Sequence, residues 1–356
     1  MGKVMIMAGG TGGHVIPALA VAEVLRQRGH ETVWLGTRRG LEARLVPAAG
    51  IPMEWLPVEG LRGTGLARKL RAPWRLGRAL LAAHGALRRH RPGVVLGMGG
   101  FASGPGGVIA RLSGRPLVLH EQNRIPGLTN RLLAPFATHL LEAFPGSFPA
   151  RLGARACGNP VRPGIEALPP PGERLGGRSG PLRLLVLGGS QGARTLNLTL
   201  PRALALIPAA QRPQVLHQAG ERSWADCRAA YAEAGVSADL RPFIEDMAAA
   251  YAWADLALAR AGALTLSELA AAGLGAILVP YPHAVDDHQT RNAAWLVEAG
   301  AARLTPEATL SPETLAGLLR GIDRARARAM ARAARARHRP GAAAAIADAC
   351  DEVMRR

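Results

Sequence analysis

The chain begins the same arrangement twice: a short apolar run, a glycine-rich loop, then a segment with helical apolar spacing. Val4-Met5-Ile6-Met7-Ala8 reads as a buried strand and runs into Gly9-Gly10-Thr11-Gly12-Gly13-His14. Pro17 to Arg28 follows with helical spacing, Pro17 suiting a first helical turn and Gly29 ending it. Thr32 to Gly36 is the next strand. The second start is Leu182 to Leu187, the loop Gly188-Gly189-Ser190-Gln191-Gly192, and a helix from Arg194 to Leu206. A strand, a helix and a second strand joined this way form a right-handed crossover, hence a parallel sheet. The expected class is α/β, with two Rossmann-like domains.

The remaining segments fit that plan. Gly93 to Gly100 is strand then loop, Gly104 to Leu112 a helix, and Pro116 to His120 a strand ending in the polar cluster Glu121-Gln122-Asn123. Leu168 to Gly180 is turn-rich, with Leu168-Pro169-Pro170-Pro171-Gly172 and Gly176-Gly177. Later strands lie near Gln214-Val215-Leu216, Leu256-Ala257-Leu258 and Ala276 to Val279. Arg320 to Arg339 reads as one helix, broken by Pro340-Gly341 before a final helix to Arg356. A length of 356 residues suits two cores. The expected domains are 1–157 and 158–340, hinged near Gly158-Asn159-Pro160, with 341–356 packing back on the first.

Charge is unevenly spread. The net charge is +18, almost all arginine, and no acidic residue lies between Glu59 and Glu121. Arg62, Arg68, Lys69, Arg71, Arg75, Arg78, Arg88, Arg89 and Arg91 fall there, interleaved with Leu61, Leu66, Leu70, Trp74, Leu76, Leu80 and Leu81. A basic amphipathic stretch of this kind suits an anionic lipid surface, and equally an ordinary helix with its leucines in the core. The glycine loop interrupts the first apolar run too early for a signal peptide, and no window offers an unbroken membrane span. Cys157, Cys227 and Cys350 have no metal-ligand spacing and suggest a reduced, cytosolic chain.

Several motifs carry possible chemistry. Glycine loops between strand and helix let a backbone approach a ligand, and the helix N-terminus beyond favours an anion. Neither GxGxxG in register nor GxxxxGK[ST] is present. Gly188 to Gly192, with the Ser190 hydroxyl, suits a diphosphate. His14 is either a general base or a helix-start histidine bonded to backbone. Thr265 and Glu268 have capping-box spacing; alternatively Glu268 accepts hydrogen bonds from a ribose diol. Pro280 to Asn292 is polar and loop-like, and its two Asp and two His match no standard metal spacing.

Taken together, Gly9 to His14, Gly97 to Gly107, His120-Glu121-Gln122-Asn123, Gly158-Asn159-Pro160-Val161-Arg162, Gly188 to Gly192 and Asp287-His288-Gln289 resemble the MurG family of N-acetylglucosaminyltransferases. The resemblance runs from near Met1 to about Asn292. It implies a GT-B fold, two Rossmann-like domains with parallel sheets facing an interdomain cleft. It implies inverting transfer of GlcNAc from UDP-GlcNAc to the 4-hydroxyl of MurNAc in undecaprenyl-linked lipid I. The products are lipid II and UDP, in peptidoglycan synthesis. By that likeness Thr11, Gly12 and Gly13 meet the sugar and acceptor diphosphate, and Asn123 and Gln289 meet GlcNAc. Arg162, Ser190, Ile244 and the turn Ala263, Leu264, Thr265, Leu266, Ser267 and Glu268 form the UDP site. Ser190 meets phosphate, Glu268 the ribose, and the Ile244 backbone the uracil. His14 is the candidate base, and no metal or other cofactor is required. A membrane-tethered acceptor implies peripheral docking at the cytoplasmic face of the cell membrane, with Arg68, Lys69, Arg71, Trp74 and Arg75 toward the anionic lipid.

Two other classes compete. Net charge and the Arg324–Arg339 run suit a nucleic-acid binder, against which stand few aromatics, no recognition motif and three glycine loops. A nicotinamide enzyme or nucleotide-sugar epimerase would want GxGxxG with an acid about 20 residues on, and neither is in register.

Overall fold

The computed structural model describes residues 1–57, 72–189 and 192–355. They divide into two compact units, Met1–Val161 with Gly341–Arg356, and Arg162–Pro340. The first holds the strands β1 (Lys3–Met7), β2 (Glu31–Thr37), β3 (Met53–Leu56), β4 (Val94–Gly97), β5 (Leu117–Glu121), β6 (His139–Glu142) and β7 (Arg155–Ala156). All pair in parallel, in the order β3-β2-β1-β4-β5-β6-β7. Both faces of β1 are buried. Val4, Ile6 and Ala8 pack with helices Gly12–Gln27 and Ala342–Met354; Met5 and Met7 pack on the other side with helix Ala72–His90. Burial on both faces explains why these strands read as continuous apolar runs.

The second unit repeats the design with β8 (Arg183–Leu187), β9 (Gln214–Gln218), β10 (Asp239–Arg241), β11 (Leu256–Ala259), β12 (Gly275–Leu278) and β13 (Ala302–Leu304). These are also parallel, in the order β10-β9-β8-β11-β12-β13. In each sheet the order reverses beside the first strand, between β1 and β4 and between β8 and β11. Loops leaving the carboxyl ends of those strands diverge to opposite faces, which opens a crevice there. The glycine loops leave these strands. The architecture is two Rossmann-like units, an α/β fold of the GT-B type.

Four segments differ from the sequence expectation. The first helix starts at Gly12, inside the glycine loop, so Pro17 lies within it rather than in its first turn. Pro17 removes one backbone donor, and the cost is confined to the bond it would make to Gly13. Leu168 to Gly180 contains a short helix, Pro171–Gly176. The Arg320–Arg339 run is two helices, Pro312–Arg320 and Arg324–Arg337, separated where Asp323 caps the second by accepting from the Arg326 amide at 2.7 Å. Pro280 to Asn292 is half helix, because helix His288–Val297 starts within it.

Arginine performs structural work in the second unit. Arg174 donates to the carbonyls of Tyr251 and Ala254 at the end of helix Met247–Trp253, and to those of Ala272 and Gly273 at the end of helix Ala263–Ala272. Arg178 and Arg324 share Asp255, at 2.7 and 3.0 Å, and Arg324 also donates to the carbonyls of Gly180 and Pro181. Arg328 reaches the Gly176 carbonyl and Arg335 that of Ala271. The last carbonyls of a helix lack intrahelical partners, and cationic donors satisfy both their hydrogen bonding and the local dipole.

Candidate active site

At the first switch point, loop Ala8–Thr11 leaves β1 and loop Met98–Ala102 leaves β4. They touch backbone to backbone: a Cβ on Gly100, whose φ is +81°, would overlap the Gly9 carbonyl. Glu42 holds the loop from beneath. Its fully buried carboxylate accepts from the Gly10 amide at 2.9 Å and from the Thr37 amide and hydroxyl at 3.1 and 2.7 Å. Trp34, also fully buried, donates its indole N–H to the Ala8 carbonyl at 2.9 Å. Thr11 is exposed at the helix N-cap, with Gly12 and Gly13 as its first residues.

His14, half-buried, places Nδ1 2.9 Å from Gln122 Oε1. Gln122 Nε2 faces His120 Nδ1 at 3.1 Å, and His120 Nε2 faces the Gly158 carbonyl at 2.9 Å. Burial pushes the fully enclosed His120 down to about 4. Asn123 is turned back on Glu121, its amide and side-chain nitrogen donating to one carboxylate oxygen at 2.8 and 3.2 Å. The other oxygen accepts from Gly127 and Asn130. Glu142 likewise accepts from the amides of Gly146 and Phe148. Buried carboxylates thus tie down the loops after β1, β5 and β6.

At the second switch point, loop Gly188–Ala193 leaves β8. Ser190 and Gln191 lie outside the described residues. Gly192, at φ +76°, admits no side chain, since a Cβ would overlap the Ala219 carbonyl. Helix Ala263–Ala272 follows β11 directly. Neither side chain nor acid caps its start, so of the two readings of the Thr265–Glu268 spacing the capping box is not formed. The same holds for the helices starting at Gly12, Ser103 and Arg194, all at the two switch points. Asp246, Ser311 and Asp323 cap helices elsewhere, while helices Leu128–Leu133, His288–Val297 and Ala342–Met354 are uncapped as well. Uncapped first-turn amides suit a bound anion.

Glu268 is 4% exposed; its Oε2 accepts from the Tyr251 hydroxyl at 3.2 Å, and Arg162 Nε lies 3.3 Å from Oε1. That Oε1 is buried and accepts no hydrogen bond among the described residues. Burial raises the Glu268 carboxyl above the ordinary value, with Arg162 and Tyr251 opposing it. Leu266 points into the core, while Ala263, Leu264, Thr265 and Ser267 continue the helix start. The Ile244 amide, expected to be open, donates to Gln218 Oε1 at 3.1 Å. Gln289 Oε1 accepts from the amides of Ala261 and Tyr281 at 3.2 and 2.9 Å, clamping the loops after β11 and β12. Just before it, Asp286 and Asp287 stand at φ +54° and +49°, a conformation costly for non-glycine residues.

The sequence singled out neither Glu42 nor Gln218, nor the pairing of Arg260 with Glu307. Glu307 also accepts from Thr195, in the first turn of the helix after the second glycine loop. Of the expected lipid-facing residues, Arg68, Lys69 and Arg71 lie outside the described residues. Trp74 is 72% exposed on helix Ala72–His90, and Arg75 is half-buried.

The chain matches the Glycosyltransferase family 28 N-terminal domain over residues 4–141 and the C-terminal domain of the same family over residues 183–352. The UDP-N-acetylglucosamine--N-acetylmuramyl-(pentapeptide) pyrophosphoryl-undecaprenol N-acetylglucosamine transferase of Nitrosococcus oceani is 60% identical, over 99% of this chain and 98% of that one. The enzyme of the same name from Alkalilimnicola ehrlichii is 59% identical, over 99% of both. The crystal structure of Acinetobacter baumannii MurG aligns with a TM-score of 0.88 at 40% identity, over 99% of this chain and 100% of that one. The chain belongs to the MurG family. It is therefore a glycosyltransferase, and the two glycine loops fall within the segments that match the N- and C-terminal domains of glycosyltransferase family 28.

Proposed function

We propose that this MurG-family enzyme transfers N-acetylglucosamine from UDP-GlcNAc to the MurNAc 4-hydroxyl of lipid I, giving lipid II and UDP with inversion. The observation that carries the donor half is Glu268: a buried carboxylate oxygen without a hydrogen bond, beside uncapped helix amides. A ribose diol satisfies the former and a diphosphate the latter. The second glycine loop, with Ser190, adds further donors to the diphosphate. Gln289 keeps its amide nitrogen for the sugar, and Asn123 is a second proposed contact to GlcNAc. Uracil meets the Ile244 backbone, either through the carbonyl or after Gln218 yields the amide.

The first unit supplies the acceptor half. Thr11, Gly12 and Gly13 present backbone donors at a helix N-terminus to the acceptor diphosphate. His14 takes the proton as the acceptor oxygen attacks the anomeric carbon. The C–O bond to the diphosphate breaks, and its electron pair leaves with UDP. Backbone amides and a helix dipole meet that charge, so the step as written uses no metal.

The acceptor is held in a membrane, and no helix among the described residues is long and apolar enough to cross one. Helix Ala72–His90 buries Ala79, Ala83, Ala86 and Leu87, and leaves Trp74, Leu76 and Leu81 outside. The adjoining helices add exposed Leu112, Leu128 and Leu132, with Arg78, Arg111 and Arg131 exposed among them. Exposed apolar side chains and arginines on the same helices suit the anionic cytoplasmic leaflet. The assay is UDP release from UDP-GlcNAc in the presence of a lipid I analogue. We expect release that depends on the analogue; release without it, or none with it, overturns the reading.

A further inference from the structure

We propose that His120 and Gln122 form a hydrogen-bond relay that fixes the tautomer of His14, with the proton on Nδ1 and the lone pair on Nε2. The proposal rests on the reading of His14 as the base, and it names the residues that prepare that base. The direction of each bond follows from the one before. The Gly158 carbonyl can only accept, so His120 Nε2, 2.9 Å away, carries a proton. Burial keeps this ring neutral at physiological pH, so His120 Nδ1 is an acceptor. The Gln122 side chain faces that acceptor at 3.1 Å and the His120 carbonyl at 3.3 Å. Two acceptors on one side require the NH2 group there and turn Oε1 to the other side.

Oε1 stands 2.9 Å from His14 Nδ1. An amide oxygen only accepts, so Nδ1 carries the proton and Nε2 the lone pair. Among the described residues His14 Nε2 has no hydrogen-bond partner, so the lone pair is free for the acceptor hydroxyl. The free histidine side chain favours the opposite tautomer, so the protein must impose this one. Space for it is built in. At Gly99, whose φ is +89°, a Cβ would stand 2.6 Å from His14 Nδ1 and 3.3 Å from Gln122 Oε1. The Gln122 backbone is held in turn, its carbonyl accepting from Asn159 Nδ2 at 3.1 Å. His120 and Gln122 are positioning residues: they touch no substrate, and they act through His14. When Nε2 takes the hydroxyl proton, Nδ1–H keeps its bond to a neutral acceptor, so no second proton moves.

The test is a long-range proton–nitrogen correlation spectrum of the full-length, 15N-histidine-labelled protein at neutral pH, with His14 assigned from its absence in His14→Gln. We expect a protonated Nδ1 and an unprotonated Nε2 for His14, and the reverse for His120. Gln122→Met removes both ends of the relay at similar volume. It should return His14 to the Nε2–H form and lower kcat at least about tenfold, with the Kd for UDP-GlcNAc unchanged. Gln122→Glu keeps an acceptor toward His14; in its neutral form, with the proton on the oxygen facing His120 Nδ1, it should restore the tautomer and most of kcat. A wild-type His14 protonated on Nε2 overturns the relay, as does a Gln122→Met protein whose His14 tautomer is unchanged. Wild-type turnover in His14→Gln, with the tautomer as stated, overturns the base and leaves the relay without a catalytic role.

Discussion

Burial raises the pKa of Glu268, and the neighbouring Arg162 and Tyr251 only partly oppose it. The folded state therefore holds this proton more tightly than the unfolded chain does. Stability from this group is present below the ordinary carboxyl value and is lost as pH rises through the raised one. Ligand affinity runs the other way, because a ribose diol donates best to the ionised form. At neutral pH Glu268→Gln should keep or raise the Tm. It should also weaken UDP-GlcNAc about 10- to 100-fold, the loss of a hydrogen bond to a charged group. Unchanged affinity by calorimetry would remove the ribose role, and a large fall in Tm would show that the Arg162 ion pair dominates. Glu268 was visible in the sequence because it follows a strand, a small-residue turn and a helix start. Glu42 was not. It stands about 30 residues from the loop it holds, in a stretch where Arg38, Arg39 and Arg44 make any carboxylate look like surface charge. Only the pairing of β1 with β2 brings it beneath Gly10.

Strands and glycine loops were the legible elements, since burial on both faces writes a continuous apolar run and a tight loop needs glycine. Helix starts were less legible. Pro17 suggested a first turn, yet the helix reaches back to Gly12, because a chain without side chains there can enter it inside the loop. Likewise reading Arg320 to Arg339 as one helix passes over Gly321-Ile322-Asp323, where Gly321 ends one helix and Asp323 caps the next. The loops themselves divide into two kinds of glycine. Gly10 has φ +93° and open space around its Cβ position, whereas Gly100 has φ +81° and the Gly9 carbonyl in the way. Alanine at either carries left-handed strain of about 1–2 kcal/mol. At Gly100 it must also push the two loops apart. Gly100→Ala should therefore lose more stability to urea than Gly10→Ala and lose turnover as well, with UDP-GlcNAc affinity retained in both. Equal effects at the two positions would mean that loop contact does not matter to the site.

Across the whole chain the charge of +18 conceals two populations of arginine. Those on the helix Arg324–Arg337 that suggested nucleic acid include Arg324, Arg328 and Arg335, which the fold uses on helix-end carbonyls and on Asp255. Sequence could not reveal this, because an arginine that caps a helix from another element is compositionally identical to one facing solvent. The second population, Arg78, Arg111 and Arg131, is exposed on the helices Ala72–His90, Ser103–Leu112 and Leu128–Leu133, which also expose Trp74, Leu81, Leu112 and Leu132. The two should separate experimentally. Arg324→Ala takes one of its two arginine partners from the buried Asp255, so the Tm should fall by several degrees while binding to anionic vesicles is kept. Arg78→Ala removes only a solvated charge, so the Tm should hold. Vesicle affinity at low salt should drop about fivefold, since a basic residue near an anionic leaflet contributes about 1 kcal/mol. Cosedimentation with vesicles containing phosphatidylglycerol, read at low and high salt, measures the second effect. Added salt should erase the difference between Arg78→Ala and wild type, because screening acts on the charge and leaves the apolar contact of Trp74 and Leu81 in place. A wild-type protein that ignores anionic vesicles at low salt would detach this face from the membrane altogether.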